Sequence, residues 1–340
     1  MSETWSDRAA HAIDPRVKEF VAANAAPGAI VVLGDAERTH TVAYGTVEPH
    51  RAAVLPTAAV RYDLASLTKV VATWPLVGKA VAAGQLDLDA PVGGYFDLPA
   101  LPGSVVTTRQ ILSHTSGLQA STRFDRYVGP GPDLVERLLS EPLQTVAGTE
   151  HRYINRGFIL LGLLLERLSG QPLDVLAEQL WRQLGMDATC YGPVPADVTV
   201  APTEIRLPGT RPAWGVVHDE NAALMGGVAG HAGVFSTAHD LARYSRCLLG
   251  VEQVDPGLAA FLGQSARPHV TDADGSRGLA WLLAADNEVV YHHGFTGTSL
   301  FLSLAHRRFA VLLSNAVYSS RERHGVAGLR AELLREVVSP

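Results

Sequence analysis

Cysteine is scarce in this 340-residue sequence, which contains only Cys190 and Cys247. Each cysteine has an apolar neighbour, which predicts two buried thiols. Two isolated cysteines cannot form a disulfide framework, and no further cysteine is present to complete a metal-binding pair. The fold must therefore be stabilised by an ordinary hydrophobic core.

Long apolar runs and targeting signals are also missing. The longest apolar run, residues 158–165, is far shorter than the roughly 20 residues that span a bilayer. Residues 1–8 include acidic side chains where a secretory signal requires positive charge, and no apolar segment follows them. We therefore expect a cytoplasmic protein without a membrane segment or a membrane partner.

An excess of basic residues is absent as well. The sequence has 28 lysine and arginine residues against 34 aspartate and glutamate residues, a net charge of −6, and the basic residues form no run. This balance argues against a nucleic-acid partner and leaves small neutral or anionic substrates open. With 47% hydrophobic and 18% charged residues, the chain can bury a large core in one domain or in two closely packed lobes.

Several motifs of cofactor binding and catalysis do not occur. No phosphate-binding loop precedes Lys79 and no dinucleotide fingerprint is present, so we expect no organic cofactor. Gly-x-Ser-x-Gly is absent, and a turn at the end of a helix explains the run from His114 to Gly117 better than a catalytic triad at Ser116 does.

A metal site is not expected either. The 13 histidines include no His-Glu-x-x-His pair. His218, Asp219 and Glu220 are consecutive, so their side chains point in different directions on a helix or a strand. They could chelate one ion only if His231 or His239 joined them from elsewhere in the chain.

The spacing of apolar residues predicts strands near both ends of the chain and helices between them. Residues 28–34 and 39–45 form a predicted antiparallel hairpin, and residues 193–226 are Pro-rich and irregular, as expected of a cleft wall. The helix that begins at Ser66 should be kinked near Pro75. The predicted helices comprise residues 15–25, 66–83, 107–113, 134–140, 155–168, 173–184, 238–249 and 326–338, and the further strands residues 279–283, 289–292, 300–304 and 309–313.

The order of these elements predicts the architecture. Strands near residue 30 and near residue 300 can share one sheet only if the helical middle of the chain is an insertion. We therefore predict a single α/β (α+β) domain, with an α/β lobe formed by residues of about 1–64 and 250–340. The inserted helical lobe would comprise residues of about 65–249, and the active site should lie between the lobes.

The first candidate motif is Ser66-x-x-Lys69, two polar groups among apolar neighbours. In a helix, residues three apart lie on one face, so the amino group of Lys69 can reach the hydroxyl of Ser66. A serine hydroxyl needs a neighbouring base, and a lysine removed from water can serve as one. Because Ser-x-x-Lys is common by chance, the motif predicts a nucleophile only in combination with others.

The second candidate is the pair Tyr153 and Asn155, just before a strongly apolar helix. In a purely structural interpretation, Asn155 is the N-cap of that helix. On an extended segment, however, residues two apart project to the same side, as a loop that lines a cleft requires. A phenol close to an ammonium group can lose its proton, so Tyr153 is a candidate base.

The third candidate is the segment Tyr291-His-His-Gly-Phe-Thr-Gly-Thr-Ser299, at the end of a predicted strand. Gly294 would let a substrate lie against the strand edge. A backbone N–H there could form half of an oxyanion hole, and the N–H of Ser66 the other half. The alternative interpretation is a hairpin turn that leaves His292 and His293 exposed.

In this combination and order, the three motifs resemble the serine β-lactamase and penicillin-binding-protein superfamily. The resemblance is to its class C β-lactamase-like branch, which includes esterases, D-alanyl carboxypeptidases and acyltransferases. It extends from Ala26 to Asn315 and includes residues 112–118 and the glycine-rich residues 226–237. It implies a β-lactamase/transpeptidase-like fold, with an antiparallel sheet flanked by helices, and implies that residues 218–221 line the cleft.

The resemblance also implies a role for each motif. Ser66 corresponds to the acylated nucleophile and Lys69 to its hydrogen-bonded partner. Tyr153 corresponds to the general base, and Asn155 to the residue that holds Lys69 and the acyl amide of the substrate. Phe295 falls where a backbone N–H completes the oxyanion hole.

The sequence departs from the family pattern at His292, which takes the position of the lysine in Lys-Thr-Gly. In β-lactamases and carboxypeptidases that lysine holds the substrate carboxylate, whereas a neutral histidine has no permanent charge. Esterases and acyltransferases of the branch often have histidine at this position. The resemblance therefore favours an enzyme that acts on a small-molecule ester or thioester.

Such an enzyme would transfer the acyl group to water, or to an amine or an alcohol without ATP. If an acceptor binds, we expect its pocket in residues 193–226, with Trp214. A β-lactamase or D-Ala-D-Ala carboxypeptidase is the alternative enzyme, and an acylatable ligand sensor is the alternative that is not an enzyme.

Overall fold

The computed structural model describes residues 4–50, 54–122, 124–127, 133–207, 209–273 and 275–339. Its strands are β1 (Gly28–Gly34), β2 (Thr39–Gly45), β3 (Arg61–Asp63), β4 (Cys190–Tyr191), β5 (Val234–Thr237), β6 (Val270–Asp272), β7 (Gly275–Arg277), β8 (Leu282–Ala284), β9 (Val289–His293), β10 (Ser299–Ser303) and β11 (Arg308–Ser314). Its helices are α1 (Trp5–Ala22), α2 (Trp74–Ala82), α3 (Val92–Tyr95), α4 (Thr108–Leu112), α5 (Leu134–Ser140), α6 (Arg156–Ser169), α7 (Leu173–Gln183), α8 (Glu220–Leu224), α9 (Ala238–Leu248), α10 (Pro256–Ser265) and α11 (Val326–Val338). Short 3₁₀ turns lie at Ala65–Leu67, Pro102–Val105 and Phe124–Arg126.

An eight-stranded antiparallel sheet, in the order β2-β1-β11-β10-β9-β8-β7-β6, joins the two ends of the chain. The predicted hairpin of β1 and β2 is present, and β1 pairs on its other side with β11, where Ile30 lies opposite Leu313. The helical middle of the chain is inserted between these strands, as the sequence predicted. The predicted fold class, an antiparallel sheet flanked by helices, is therefore confirmed.

The central strands are buried on both faces of the sheet. Along β1, Ile30 and Val32 belong to the large core that includes α2 and α9, while Val31 and Leu33 pack with α1 and α11. This alternation follows from the two-residue period of a strand. Helices α1 and α11 therefore cover one face of the sheet, and α9 lies against β1 and β11 on the other.

The structure differs from the prediction at several elements. Helix α1 begins at Trp5 and not at residue 15, because Thr4 and Asp7 form a capping box and Pro15 is accommodated inside the helix. The short strands β3, β4 and β5 form a second sheet that the sequence did not predict. Cys247 is buried, but Cys190 is partly exposed, so the prediction of two buried thiols was wrong for Cys190.

The segment after β3 is not the regular α-helix that was predicted. The 3₁₀ turn at Ala65–Leu67 leads into a π-helical turn at Lys69–Thr73, and α2 follows. Pro75 stands in the first turn of α2, where a proline is tolerated because the N–H groups of that turn have no partner within the α-helix, so the kink near Pro75 stays a prediction. The hydroxyl of Tyr244 donates to the carbonyl of Val70 at 2.6 Å, and the indole of Trp181 donates to the carbonyl of Val71 at 2.9 Å.

No helix in the described part of the chain has both the length and the apolar character that crossing a membrane requires.

Candidate active site

Lys69 lies at the centre of the candidate site and is fully buried. Its amino group donates to the phenolic oxygen of Tyr153 at 2.8 Å and to Oδ1 of Asn155 at 2.9 Å. The backbone carbonyl of His231 is a third, longer acceptor at 3.4 Å. The π-helical turn thus brings Lys69 against the loop before α6, and three of the predicted site residues meet there.

Ser66 stands in the 3₁₀ turn that follows β3 and is partly exposed. The preceding Ala65 adopts a left-handed φ of 46°, which is strained for alanine. The buried carboxylate of Asp63 stabilises this conformation, because it accepts the N–H of Ala65 at 2.8 Å and the N–H of His218 at 2.7 Å.

The predicted hydrogen bond between Ser66 and Lys69 is not formed. Within the described residues the hydroxyl of Ser66 has no hydrogen-bond partner, and Lys69 is directed to Tyr153 and Asn155. The physical reason is that residues 65–73 form 3₁₀ and π turns, whereas the prediction assumed the face of a regular α-helix. The hydroxyl is therefore free to approach a substrate.

The turn of residues 294–298 is hydrogen-bonded to the segment that precedes Ser66. The hydroxyl of Thr298 donates to the carbonyl of Leu64 at 3.0 Å, and the hydroxyl of Thr296 donates to the carbonyl of Asp63 at 2.7 Å. A Cβ atom at Gly294 would collide with the carbonyl oxygen of Leu64 and with the hydroxyl of Thr298. Only glycine permits this close approach at position 294.

The backbone N–H groups of Ser66 and Phe295, one from each of these neighbouring segments, have no acceptor within the described part of the chain. The N–H of Ser66 belongs to the first turn of a helix, where N–H groups have no intrahelical partner. Preorganised N–H groups that converge on one point are what an oxyanion hole requires. The structure therefore leaves both predicted donors unpaired.

His292 is buried and uncharged. Burial, with a further contribution from nearby Lys69, lowers the pKa of His292 well below the usual histidine value. Burial also lowers the pKa of His293 to about 3, and its Nδ1 lies 3.1 Å from the hydroxyl of Ser299. The alternative interpretation, a turn with two exposed histidines, was therefore wrong.

Comparison with known proteins decides the family. The family model described as Beta-lactamase matches residues 13–335. The chain belongs to the β-lactamase family. It is an enzyme of the serine β-lactamase-fold hydrolase type, and class C β-lactamases are among its structural neighbours.

Individual relatives of this β-lactamase-family chain differ in their described activities. It is 30% identical to the N-acetylmuramyl-L-alanine amidase of Bacillus subtilis (strain 168), over 92% of this chain and 82% of that protein. It is 29% identical, over 85% of this chain and 78% of the relative, to an Escherichia coli O157:H7 protein with the provisional name D-alanyl-D-alanine carboxypeptidase. The solved structure of EstCE1, a hydrolase with promiscuous acyltransferase activity, aligns at a TM-score of 0.75 and 19% identity over 97% of this chain and 98% of EstCE1.

The sequence did not identify His114 as part of the site. His114 adopts a left-handed φ of 57° after α4, which agrees with the predicted helix-end turn, but its ring packs 4.6 Å from that of Tyr153. Nδ1 of His114 accepts the N–H of Ile154 at 3.3 Å. No local sequence pattern indicated this contact, which depends on the tertiary fold.

A cavity of about 240 Å³ adjoins Tyr153. Its mostly apolar lining includes Leu112, Trp281 and Leu282 together with His114 and His292. Buried nitrogens of His114, Trp281 and His292 have no partner within the described residues. A substrate group that enters this cavity would therefore meet an apolar wall with a few unpaired polar atoms.

The segment from His218 to Glu220 lies at the rim of the site, but its side chains do not point to one common position. The ring of His218 stacks on Phe295 at 5.6 Å, and its Nε2 lies 2.9 Å from Glu204. Asp219 instead accepts a 2.8 Å hydrogen bond from Nε2 of His231. Across the described ranges, no group of three potential metal ligands is close enough to hold an ion.

Trp214 is held in the loop before α8. Its indole donates to the carbonyl of Val200 at 2.7 Å. The predicted acceptor pocket in residues 193–226 stays a prediction.

Proposed function

We propose that the protein is a serine hydrolase or transacylase that acts on an ester or thioester of a small molecule through an acyl-enzyme at Ser66. The observation that carries this proposal is the buried amino group of Lys69, hydrogen-bonded to Tyr153 at 2.8 Å within one turn of a partly exposed serine. A nucleophile next to a base that a third group orients is the arrangement of covalent catalysis.

The reaction would proceed in two balanced steps. The hydroxyl oxygen of Ser66 attacks the carbonyl carbon, its proton passes to the pair of Tyr153 and Lys69, and the N–H groups of Ser66 and Phe295 stabilise the oxyanion. Collapse of this intermediate breaks the ester bond and returns the proton to the leaving alkoxide or thiolate. Water, an amine or an alcohol then repeats the attack on the acyl-enzyme and releases the acyl group.

The proposed preference for neutral esters over substrates that carry a carboxylate rests on His292. A penicillin or a peptide that ends in D-alanine carries a carboxylate, which a fixed cation would hold. Burial keeps His292 uncharged, and a neutral ester needs no such cation. The structural neighbour EstCE1, a hydrolase with promiscuous acyltransferase activity, supports acyl transfer as well as hydrolysis.

A second candidate function, D-Ala-D-Ala carboxypeptidase or β-lactamase, is favoured by one observation. The guanidinium of Arg323 lies 4.1 Å from the ring centre of Phe295, so a cation is present beside the candidate oxyanion hole. It could hold a substrate carboxylate in place of the missing lysine. The carboxypeptidase name of the Escherichia coli relative also supports this candidate.

The test begins with covalent labelling. A fluorophosphonate should add to Ser66, as mapped by mass spectrometry, and Ser66→Ala should remain folded and unlabelled. Labelling elsewhere, or no labelling of folded protein, would defeat the proposal. Initial rates on p-nitrophenyl butyrate, a chromogenic cephalosporin and a peptide ending in D-Ala-D-Ala then separate the two enzymatic candidates.

Two further measurements separate a sensor, a transacylase and an esterase: the number of turnovers, and the division of the acyl group between water and an added acceptor. A single stoichiometric burst of p-nitrophenol would support an acylatable sensor, whereas many turnovers would dismiss it. A panel of amines and alcohols, offered at millimolar concentration, should yield new esters or amides if the enzyme is a transacylase. If no acceptor competes with water, a plain esterase remains.

A further inference from the structure

Arg330, in helix α11, lies behind the turn of residues 294–298. Its Nη2 donates to the carbonyl of Gly294 at 2.8 Å and to the carbonyl of Thr298 at 3.0 Å. Its Nε donates to the hydroxyl of Ser299 at 2.9 Å. The guanidinium thus binds both ends of the turn that contains Phe295.

The charge of Arg330 has no acidic partner. Among the described residues, no carboxylate lies within 4.0 Å of its guanidinium. Burial and the neighbouring Arg323 lower the pKa of Arg330 to about 10, so it remains protonated at neutral pH. A partly buried cation whose acceptors are all neutral oxygens exerts its field on the turn without a compensating negative charge.

The hydrogen bond from Arg330 to the carbonyl of Gly294 affects the peptide group whose N–H would stabilise the oxyanion. The carbonyl of Gly294 and the N–H of Phe295 belong to one planar, delocalised peptide unit. A charged donor on the carbonyl oxygen withdraws electron density from the nitrogen and makes the N–H a stronger donor. The same bond fixes the plane of the peptide and therefore the direction of the N–H.

Further hydrogen bonds of the turn restrict the orientation of the same peptide. The N–H of Gly294 donates to the carbonyl of Thr298 at 2.8 Å, and the hydroxyl of Thr298 donates to the carbonyl of Leu64. The turn is therefore held between Arg330 behind it and the segment of Ser66 in front of it. A rigid donor costs no reorganisation when charge develops on the substrate.

We propose that Arg330 is a positioning residue of the oxyanion hole, which orients and polarises the Gly294–Phe295 peptide so that the N–H of Phe295 stabilises the oxyanion. The proposal rests on the acyl-enzyme chemistry proposed above. It assigns a role in the reaction to α11, which contributes none of the three sequence motifs.

Arg330→Met should lower kcat about tenfold, less than the 10²–10³-fold loss that follows removal of a whole oxyanion donor. KM should change less than twofold, because the interaction gains strength mainly in the transition state. Arg330→Lys keeps the charge and should retain most of the activity. Arg335→Met is the matched control: it removes one cation from the same helix, where Arg335 pairs with Glu332 on the surface.

An infrared measurement separates polarisation from a general loss of structure. The acyl carbonyl on Ser66 should absorb at higher frequency in Arg330→Met than in the parent protein, since a weaker oxyanion hole polarises the carbonyl less. Arg330→Lys should restore the lower frequency. Rates are normalised to active sites titrated with fluorophosphonate, so that an unfolded fraction does not count.

The outcomes distinguish this inference from the proposed function. If the parent protein is not labelled at Ser66, the proposed function fails and the role of Arg330 fails with it. If Ser66 is labelled but the normalised kcat of Arg330→Met equals that of Arg335→Met, only the role of Arg330 is overturned. An unchanged acyl carbonyl frequency, or a loss of activity that disappears on normalisation, would also overturn it.

Discussion

The amino group of Lys69 lies 2.8 Å from the phenolic oxygen of Tyr153, although 84 residues separate the two in the chain. Tyr153 precedes α6, and Lys69 stands in the π-helical turn before α2. The hydroxyl of Tyr153 accepts the hydrogen bond, so the contact provides a path for a proton between the two groups. This contact brings two of the three sequence motifs together at the candidate active site.

Lys69→Met should reduce kcat/KM on p-nitrophenyl butyrate by about 10²–10⁴-fold, the usual contribution of a general base system. Methionine keeps an unbranched apolar stem like that of lysine but cannot donate to Tyr153 or Asn155. The matched control is Lys79→Met, because Lys79 bonds to Gln183 at the surface of α2. Retention of more than a tenth of the parent rate in Lys69→Met would contradict this role.

Local periodicity explains which parts of the fold could be predicted. Helices α5 and α11 and the hairpin of β1 and β2 begin and end where the apolar spacing indicated, because that spacing reflects one buried face. Strands β4 and β5 are short and depend on pairing with distant residues, so no local signal predicted them.

The candidate site was partly predictable for the same reason. Spacing indicated Ser66, Lys69 and Tyr153, and the close approach of Gly294 follows from its lack of a side chain. The packing of His114 on Tyr153 was not predictable, since it depends on how α4 meets the loop before α6. The missing bond from Lys69 to Ser66 likewise depends on π-helical geometry.

Tyr244→Phe should destabilise the protein and disturb the site together. The buried hydroxyl of Tyr244 is the donor to the carbonyl of Val70, which lies next to Lys69 in the π-helical turn. An unpaired buried carbonyl costs about 1–3 kcal/mol, so we expect a lower unfolding free energy and a reduced kcat. Urea unfolding and steady-state kinetics measure both quantities.

Tyr44→Phe provides the comparison for this prediction, because Tyr44 is only partly buried and bonds to Asp14 near the surface. The net contribution of such a solvent-screened bond to stability is small, and Tyr44 is remote in sequence from the motifs. Equal losses of stability and activity in the two variants would show that the π-helical turn does not depend on Tyr244.

Acidification should destabilise the fold because His114 and His292 are buried in the neutral form. Burial lowers the pKa of each well below 6.5 in the folded state, whereas the unfolded chain binds protons near pH 6.5. Stability is therefore full above about pH 6.5 and falls as pH decreases. Each histidine should remove at most about 1.4 kcal/mol at pH 5.5 relative to high pH.

Urea unfolding at pH 8.0 and pH 5.5 tests whether the free energy of unfolding falls as the pH decreases. The parent protein should lose more stability than either His114→Asn or His292→Gln, because each substitution removes one group that the unfolded chain protonates. Other buried histidines, including His293, contribute to the fall in all three proteins. If both variants show the same pH dependence as the parent, these two histidines are not the buried neutral groups proposed here.

His292→Lys tests whether the missing cation determines substrate choice. Lysine at position 292 would place a fixed charge beside the oxyanion hole, where a substrate carboxylate could pair with it. We expect the ratio of kcat/KM for a carboxylate-bearing ester to that for a neutral ester to rise about tenfold, which corresponds to about 1.4 kcal/mol. The variant should also lose stability, because position 292 is buried and close to Lys69.

The control is His292→Gln, which removes the imidazole without adding charge, so its ratio of kcat/KM values should stay near that of the parent. If both variants change the ratio alike, the charge at position 292 does not select the substrate, and the preference for neutral esters must originate elsewhere, with Arg323 as the next cation to replace.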